Sequence, residues 1–167
     1  MLQRVVRYQG AIVEGDSVLL IRFRDPASKN TFWLIPGGGL EPDETEEECV
    51  QREMREETNL EVHVERLLLE HDDPAGVYPR LKTYLCRVVS GAPSPGYEPG
   101  PPVPAGYGII EIGWFHLGQP ETWGEEVHQD EITCAMLRHV QRALGYESSI
   151  SHVQDSEHPT DQTSAII

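Results

Sequence analysis

Between Gly38 and Leu60 the chain reads GGLEPDETEEECVQREMREETNL, which sets nine carboxylates (Glu41, Asp43, Glu44, Glu46, Glu47, Glu48, Glu53, Glu56 and Glu57) against two arginines, Arg52 and Arg55. Two carboxylates about 4 Å apart repel by roughly 4 kcal/mol at an effective dielectric of about 20. A solvated acidic helix ordinarily carries Lys or Arg one turn away from each acid, and that support is nearly absent here. At about 100° per residue, Glu53, Glu56 and Glu57 share one arc of about 100° on a helix. Hard oxygen ligands on one face suit Mg²⁺ or Mn²⁺, cations that take carboxylates and substrate phosphates together. Gly37, Gly38 and Gly39 stand just upstream. Alone they read as a flexible turn; between a strand and a helix they admit close backbone approach to metal or phosphate.

The spacing of Gly38, Glu44, Arg52-Glu53-Met54, Glu56-Glu57 and Leu60 resembles the Nudix box of the Nudix hydrolases, with eight of its nine restricted positions matched. The lead-in Trp33-Leu34-Ile35-Pro36-Gly37 is also typical, and Asn59 stands where the family usually has glycine. The resemblance implies an α/β fold, the α/β/α sandwich of that family, with a mixed β-sheet. It implies a pyrophosphohydrolase that uses Mg²⁺ or Mn²⁺ on a nucleoside-diphosphate derivative: a nucleoside triphosphate, ADP-ribose or a nucleotide sugar. Glu53, Glu56 and Glu57 would hold the cations, joined by the carbonyl of Gly38. Either Glu53 or Glu56 would act as base, although a carboxylate bound to metal makes a poor one. Arg52 would orient a catalytic glutamate, with Glu44 in the same network; as simple charge balance for Glu48 or Glu56 it would do nearly the same physical work. The alternative is a nucleotide-sensing domain without catalysis, but such domains often lose the box residues that this chain keeps.

Composition narrows the partners. A formal charge of −15 and a pI near 4.7 disfavour a polyanionic nucleic acid. The expected partner is a small nucleotide, with room for a homodimer. Three cysteines, Cys49, Cys86 and Cys134, without metal-type spacing read as reduced thiols of a cytoplasmic protein. The opening MLQRVVRYQG lacks an apolar signal core, and no run has the length of a membrane span.

The elements that must position these groups follow from patterning. Residues 4–13 and 17–24 predict a hairpin about Glu14-Gly15-Asp16. A strand around 32–35 leads into the glycines, and Thr45 with Glu48 has the form of a capping box for a helix ending near Thr58. Asn59 fits the left-handed position that stops it. Strands are expected over 61–70, 81–89 and 108–117, and a helix over 132–144 whose apolar stripe starts at Ile132. Six prolines and four glycines in residues 91–106 forbid a regular element there. That loop carries Glu98, which the family resemblance makes a further candidate for the base; read plainly, the loop is a stiff connector. Residues 1–145 form the expected domain and 146–167 a polar tail. Arg22 and Arg24 share one face of the second strand and are candidate phosphate contacts, as are the backbone groups of Gly37, Gly38 and Gly39. Trp33 and Tyr97 are read either as base-stacking groups or, for Trp33, as core.

Overall fold

The computed structural model describes residues 5–74, 76–97 and 104–146. Strand β1 (Val6–Glu14) turns through Gly15 and Asp16 into β2 (Ser17–Arg24). Gly15 has φ 55°, the left-handed conformation that a two-residue hairpin turn demands and that glycine adopts without strain. β3 (Thr31–Leu34) pairs back on β2, and a two-residue β4 (Gly37–Gly38) pairs with β1. Helix α1 (Glu46–Thr58) follows, then β5 (Leu60–Asp72), β6 (Arg80–Gly91) and β7 (Gly108–His116). A 3-10 turn at Pro120–Thr122 leads to α2 (Glu125–Gln129) and α3 (Glu131–Ala143).

The strands form one mixed sheet in the order β3-β2-β1-β6-β5, with β4 beside β1 and β7 beside β2. β1 and β6 run parallel, and the other pairs are antiparallel. Alternation along the strands divides the core in two. On one face Tyr8, Ile12, Leu19 and Ile21 pack with Val50 and Met54 of α1. On the other, Val18, Leu20 and Phe115 pack with Leu137 and Val140 of α3. The result is an α/β/α sandwich, as the resemblance implies.

The expected helix over 132–144 is present one residue earlier, but its stripe is turned. Ile132 is 82 % exposed, and Thr133 is buried in its stead. The Thr133 hydroxyl donates to the Trp33 carbonyl at 2.8 Å, and Asp130 caps the helix through the amides of Ile132 and Thr133. A satisfied hydroxyl can be buried where an isoleucine would otherwise be expected. The Tyr146 hydroxyl donates to Asp16 at 2.6 Å, and its ring packs on the α3-side core. Residues 147–167 lie outside the described residues.

Candidate active site

Helix α1 begins as its sequence demands. Thr45 accepts from the Glu48 amide, and the Glu48 carboxylate accepts from the Thr45 amide at 2.8 Å. Asn59 ends the helix at φ 58°, ψ 26°, its amide donating to the Arg55 carbonyl. Cys49, Val50 and Met54 are buried, which turns the acidic arc toward β4 and the loop after it.

Arg52 is the centre of the acidic network. Its Nε and Nη2 form a two-point pair with the Glu44 carboxylate at 2.9 and 3.1 Å. Its Nη1 donates to Glu53 at 2.8 Å and to Glu56 at 3.2 Å, and Nη2 also reaches the Gly39 carbonyl at 3.1 Å. One planar fork thus ties two box glutamates to Glu44 and to the glycine loop, a geometry that lysine cannot reproduce. The same guanidinium therefore balances the charge of Glu56 and fixes the position of the Glu53 and Glu56 carboxylates. Burial pushes the Glu44 carboxyl up, but its bonds from Arg52 hold it below the usual range. For Glu53 burial prevails and lifts the carboxyl above its usual range despite Arg52. Three carboxylates around one guanidinium still leave the cluster net negative.

The glycines are used sterically. Gly38 lies against the Glu53 carboxylate, so closely that a Cβ there would collide with it. Gly37, at φ 154°, has β1 backbone where a Cβ would project, and its amide donates to Glu57 at 2.7 Å. Glu57 is 1 % exposed and Glu53 8 %. Gly10 on β1 adds to this packing, since a Cβ there would come within 2.7 Å of Met54 Sδ. Close approach of strand, loop and helix is what these glycines permit.

Fit to a divalent cation can be judged from the donors. Glu53, Glu56, Glu57 and the Gly38 carbonyl are all hard oxygens, brought to one helix arc and the strand facing it, with surplus negative charge. That chemistry suits Mg²⁺ or Mn²⁺. Among the described residues no three Asp, Glu, His or Cys side chains converge on one point.

Other expectations meet a different geometry. Arg22 and Arg24 follow Val18 and Leu20 on the α3-side face of β2, opposite the face that packs on α1. Arg22 is engaged by Glu111 at 3.1 Å and Glu126 at 2.6 Å and lies over the Trp33 ring, while Arg24 donates to the Gly106 carbonyl. Neither is brought to the box. Trp33 packs edge-on against Phe115 at 5.0 Å, the core reading of that residue. Tyr97 is 70 % exposed. Glu98 lies outside the described residues.

Two features escaped the sequence. Arg7 donates to the Ile35 carbonyl and its charge acts on Glu53. The segment Ser94–Tyr97 lies on the C-terminal end of α1 through its backbone amides. No local pattern marks either, because both depend on β1, β6 and α1 meeting in space.

The same architecture is found elsewhere. The model of the NUDIX domain matches residues 5–136. An RNA pyrophosphohydrolase of Pseudomonas putida is 31 % identical over 114 residues, covering 58 % of this chain and 71 % of the relative. The crystal structure of a MutT Nudix hydrolase from Burkholderia pseudomallei is similar at TM-score 0.57 and 25 % identity, over 81 % of this chain and 97 % of that one. An ADP-ribose pyrophosphatase from Streptococcus suis shares the fold at TM-score 0.58 and 19 % identity, over 87 % and 94 % of the two chains. With the Arg52-centred helix in place and a family match over most of its length, the chain belongs to the Nudix family of hydrolases.

Proposed function

We propose that this hydrolase is an Mg²⁺- or Mn²⁺-dependent pyrophosphohydrolase that cleaves the diphosphate of a small nucleoside-diphosphate derivative. The observation that carries the reading is the Arg52 network, which aligns Glu53 and Glu56 on one arc while Gly37 anchors Glu57 beside them. Glu53, Glu56, Glu57 and the Gly38 carbonyl would hold the cation. When bound, it supplies charge neutralisation at the phosphoryl oxygens and acidifies an attacking water.

The chain's own groups do the remaining work. Gly37, Gly38 and Gly39 let the strand and loop lie directly against α1, with the Gly37 amide holding Glu57, and a substrate diphosphate would be met at the outer edge of this loop. Glu53, buried, or Glu56, about a quarter exposed beside it, would take the proton of the water. Arg52 holds both carboxylates in register and limits their mutual repulsion. Retention of Arg52, Glu53, Glu56 and Glu57 favours catalysis over nucleotide sensing.

The P. putida relative's name makes a 5′-phosphorylated RNA end a second substrate reading. The net charge of −15 favours a small nucleotide over a polyanion. We also place the enzyme in the cytoplasm: Cys49, Cys86 and Cys134 are all free thiols. Among the described residues no helix is long and apolar enough to cross a membrane. The test is a panel of nucleoside triphosphates, ADP-ribose, nucleotide sugars and a 5′-triphosphorylated RNA oligonucleotide, with Mg²⁺ or excess chelator, read by product chromatography. Cleavage of a small nucleotide that chelator abolishes is the expected result. Cleavage of RNA alone would select the second substrate, and no cleavage of any would favour sensing.

A further inference from the structure

The last turn of α1 bears Glu56 and Glu57, and helix ends ordinarily leave their final carbonyls to fray in water. Here each of those four carbonyls has a partner. The Arg55 carbonyl accepts from the Asn59 amide at 3.1 Å. The carbonyls of Glu56, Glu57 and Thr58 accept from the amides of Tyr97, Gly96 and Ser94 at 3.1, 2.9 and 3.1 Å. Nothing but glycine fits at 96, because a Cβ there would run into the Glu56 carbonyl.

Asn59 joins the two parts. Its backbone occupies the left-handed position that stops the helix, at φ 58°. Its side-chain Nδ2 donates to both the carbonyl and the hydroxyl of Ser94 at 3.0 Å. A glycine at this position, as the box usually has, would end the helix equally well but could not make either side-chain bond.

We propose that Asn59 and Gly96 are positioning residues for hydrolysis: they clamp the segment Ser94–Tyr97 onto the C-terminus of α1 and thereby fix the turn that presents Glu56 and Glu57. The inference rests on the proposed metal-dependent function. The asparagine is then an adaptation of this chain rather than a tolerated defect. It exchanges the conformational ease of glycine for a side chain that pins Ser94 to the end of α1.

Asn59→Gly is the decisive variant, since it relieves left-handed strain while deleting only the pin. Amide hydrogen exchange of Ser94, Gly96 and Tyr97 should quicken by about tenfold with two hydrogen bonds gone, while amides of residues 50–54 exchange as before. Mn²⁺ affinity, followed by electron paramagnetic resonance without substrate, should weaken about threefold or more, and kcat should fall at unchanged KM. Ser94→Ala, which keeps the bond to the Ser94 carbonyl, should fall between wild type and Asn59→Gly. Unchanged exchange at 94, 96 and 97 would overturn the clamp. Faster exchange with wild-type Mn²⁺ affinity and kcat would overturn the positioning role, leaving a loop tether only. Absence of Mn²⁺ binding in the wild type would instead overturn the proposed function, and this inference with it.

Discussion

Arg52→Gln removes every charged contact in the acidic network while keeping a polar side chain. In the wild type the Arg52 side chain is 17 % exposed, with Glu44 at 12 % and Glu53 at 10 %. These are ion pairs largely removed from water, not surface pairs. Breaking such a pair from one side leaves buried charge uncompensated, at a cost of about 3–5 kcal/mol. Here Glu44 loses a two-point partner, and Glu44, Glu53 and Glu56 then face one another without a cation. We therefore expect a loss of about 4 kcal/mol, or roughly 10 °C in Tm for a domain of this size. Arg52→Lys keeps the charge on a single point and should lose about half as much. The assay is urea unfolding in chelator, so that metal binding does not mask the difference. The pH dependence supplies a second check. The folded Glu44 carboxyl is held below its usual range, so its stabilisation is present above the unfolded value and is lost as pH falls through the folded one. The gap between wild type and Arg52→Gln should narrow in acid. A gap under about 1 kcal/mol at neutral pH would refute the claim that these carboxylates are paired away from water.

Gly38→Ala forces a methyl into the Glu53 carboxylate, so kcat should drop by at least about tenfold, with far-UV circular dichroism retained. Loss of fold instead would show that the strand, and not the carboxylate, yields. Glu46 is a separate electrostatic tie: burial pushes its carboxyl up, but Lys82, at 2.7 Å, and Tyr84 hold it below its usual range. Its contribution is therefore present above the unfolded value and disappears as pH falls, and Glu46→Gln should flatten the acid limb of the stability curve measured in chelator. Trp33→Ala should destabilise by about 2 kcal/mol, less than a fully buried aromatic, while leaving KM near wild type, because the partly buried ring packs on Phe115 against the α3-side core. A large KM change with little loss of stability would return Trp33 to the substrate.

Local chemistry made the box helix legible. Thr45 and Glu48 announced its start and Asn59 its end, whereas the burial of Cys49, Val50 and Met54 is a finding of the structure. Arg52 with Glu44 was readable because both stand within one box. Alternation showed that Arg22 and Arg24 share a face of β2, but not which helix that face would meet. The answer depends on α2 and α3 returning to the far side of the sheet, where Glu126 and Glu111 take the Arg22 charge. The parallel pairing of β1 with β6, which sets Gln9 beside Thr83, has no local signature at such separation. α2 is too short for a helical period to emerge, and β4 is made of glycines that strands ordinarily avoid. Among the described residues 92–97 and 104–106 there is no helix or strand, as their prolines and glycines led one to expect, while Gly91 itself ends β6. Docking of Ser94–Tyr97 by backbone amides leaves almost no trace in side-chain identity apart from Asn59 and Gly96.

The central claim is that one arc of α1 holds a divalent cation for hydrolysis. Its most direct test is Mn²⁺ titration by electron paramagnetic resonance of the wild type and of Glu53→Gln, Glu56→Gln and Glu57→Gln, each first shown to be folded. The account predicts saturable Mn²⁺ binding in the wild type, competed by Mg²⁺. It also predicts that each variant weakens binding by about tenfold or more, as hard cations require anionic oxygen. Equal Mn²⁺ affinity in the wild type and all three variants would contradict it.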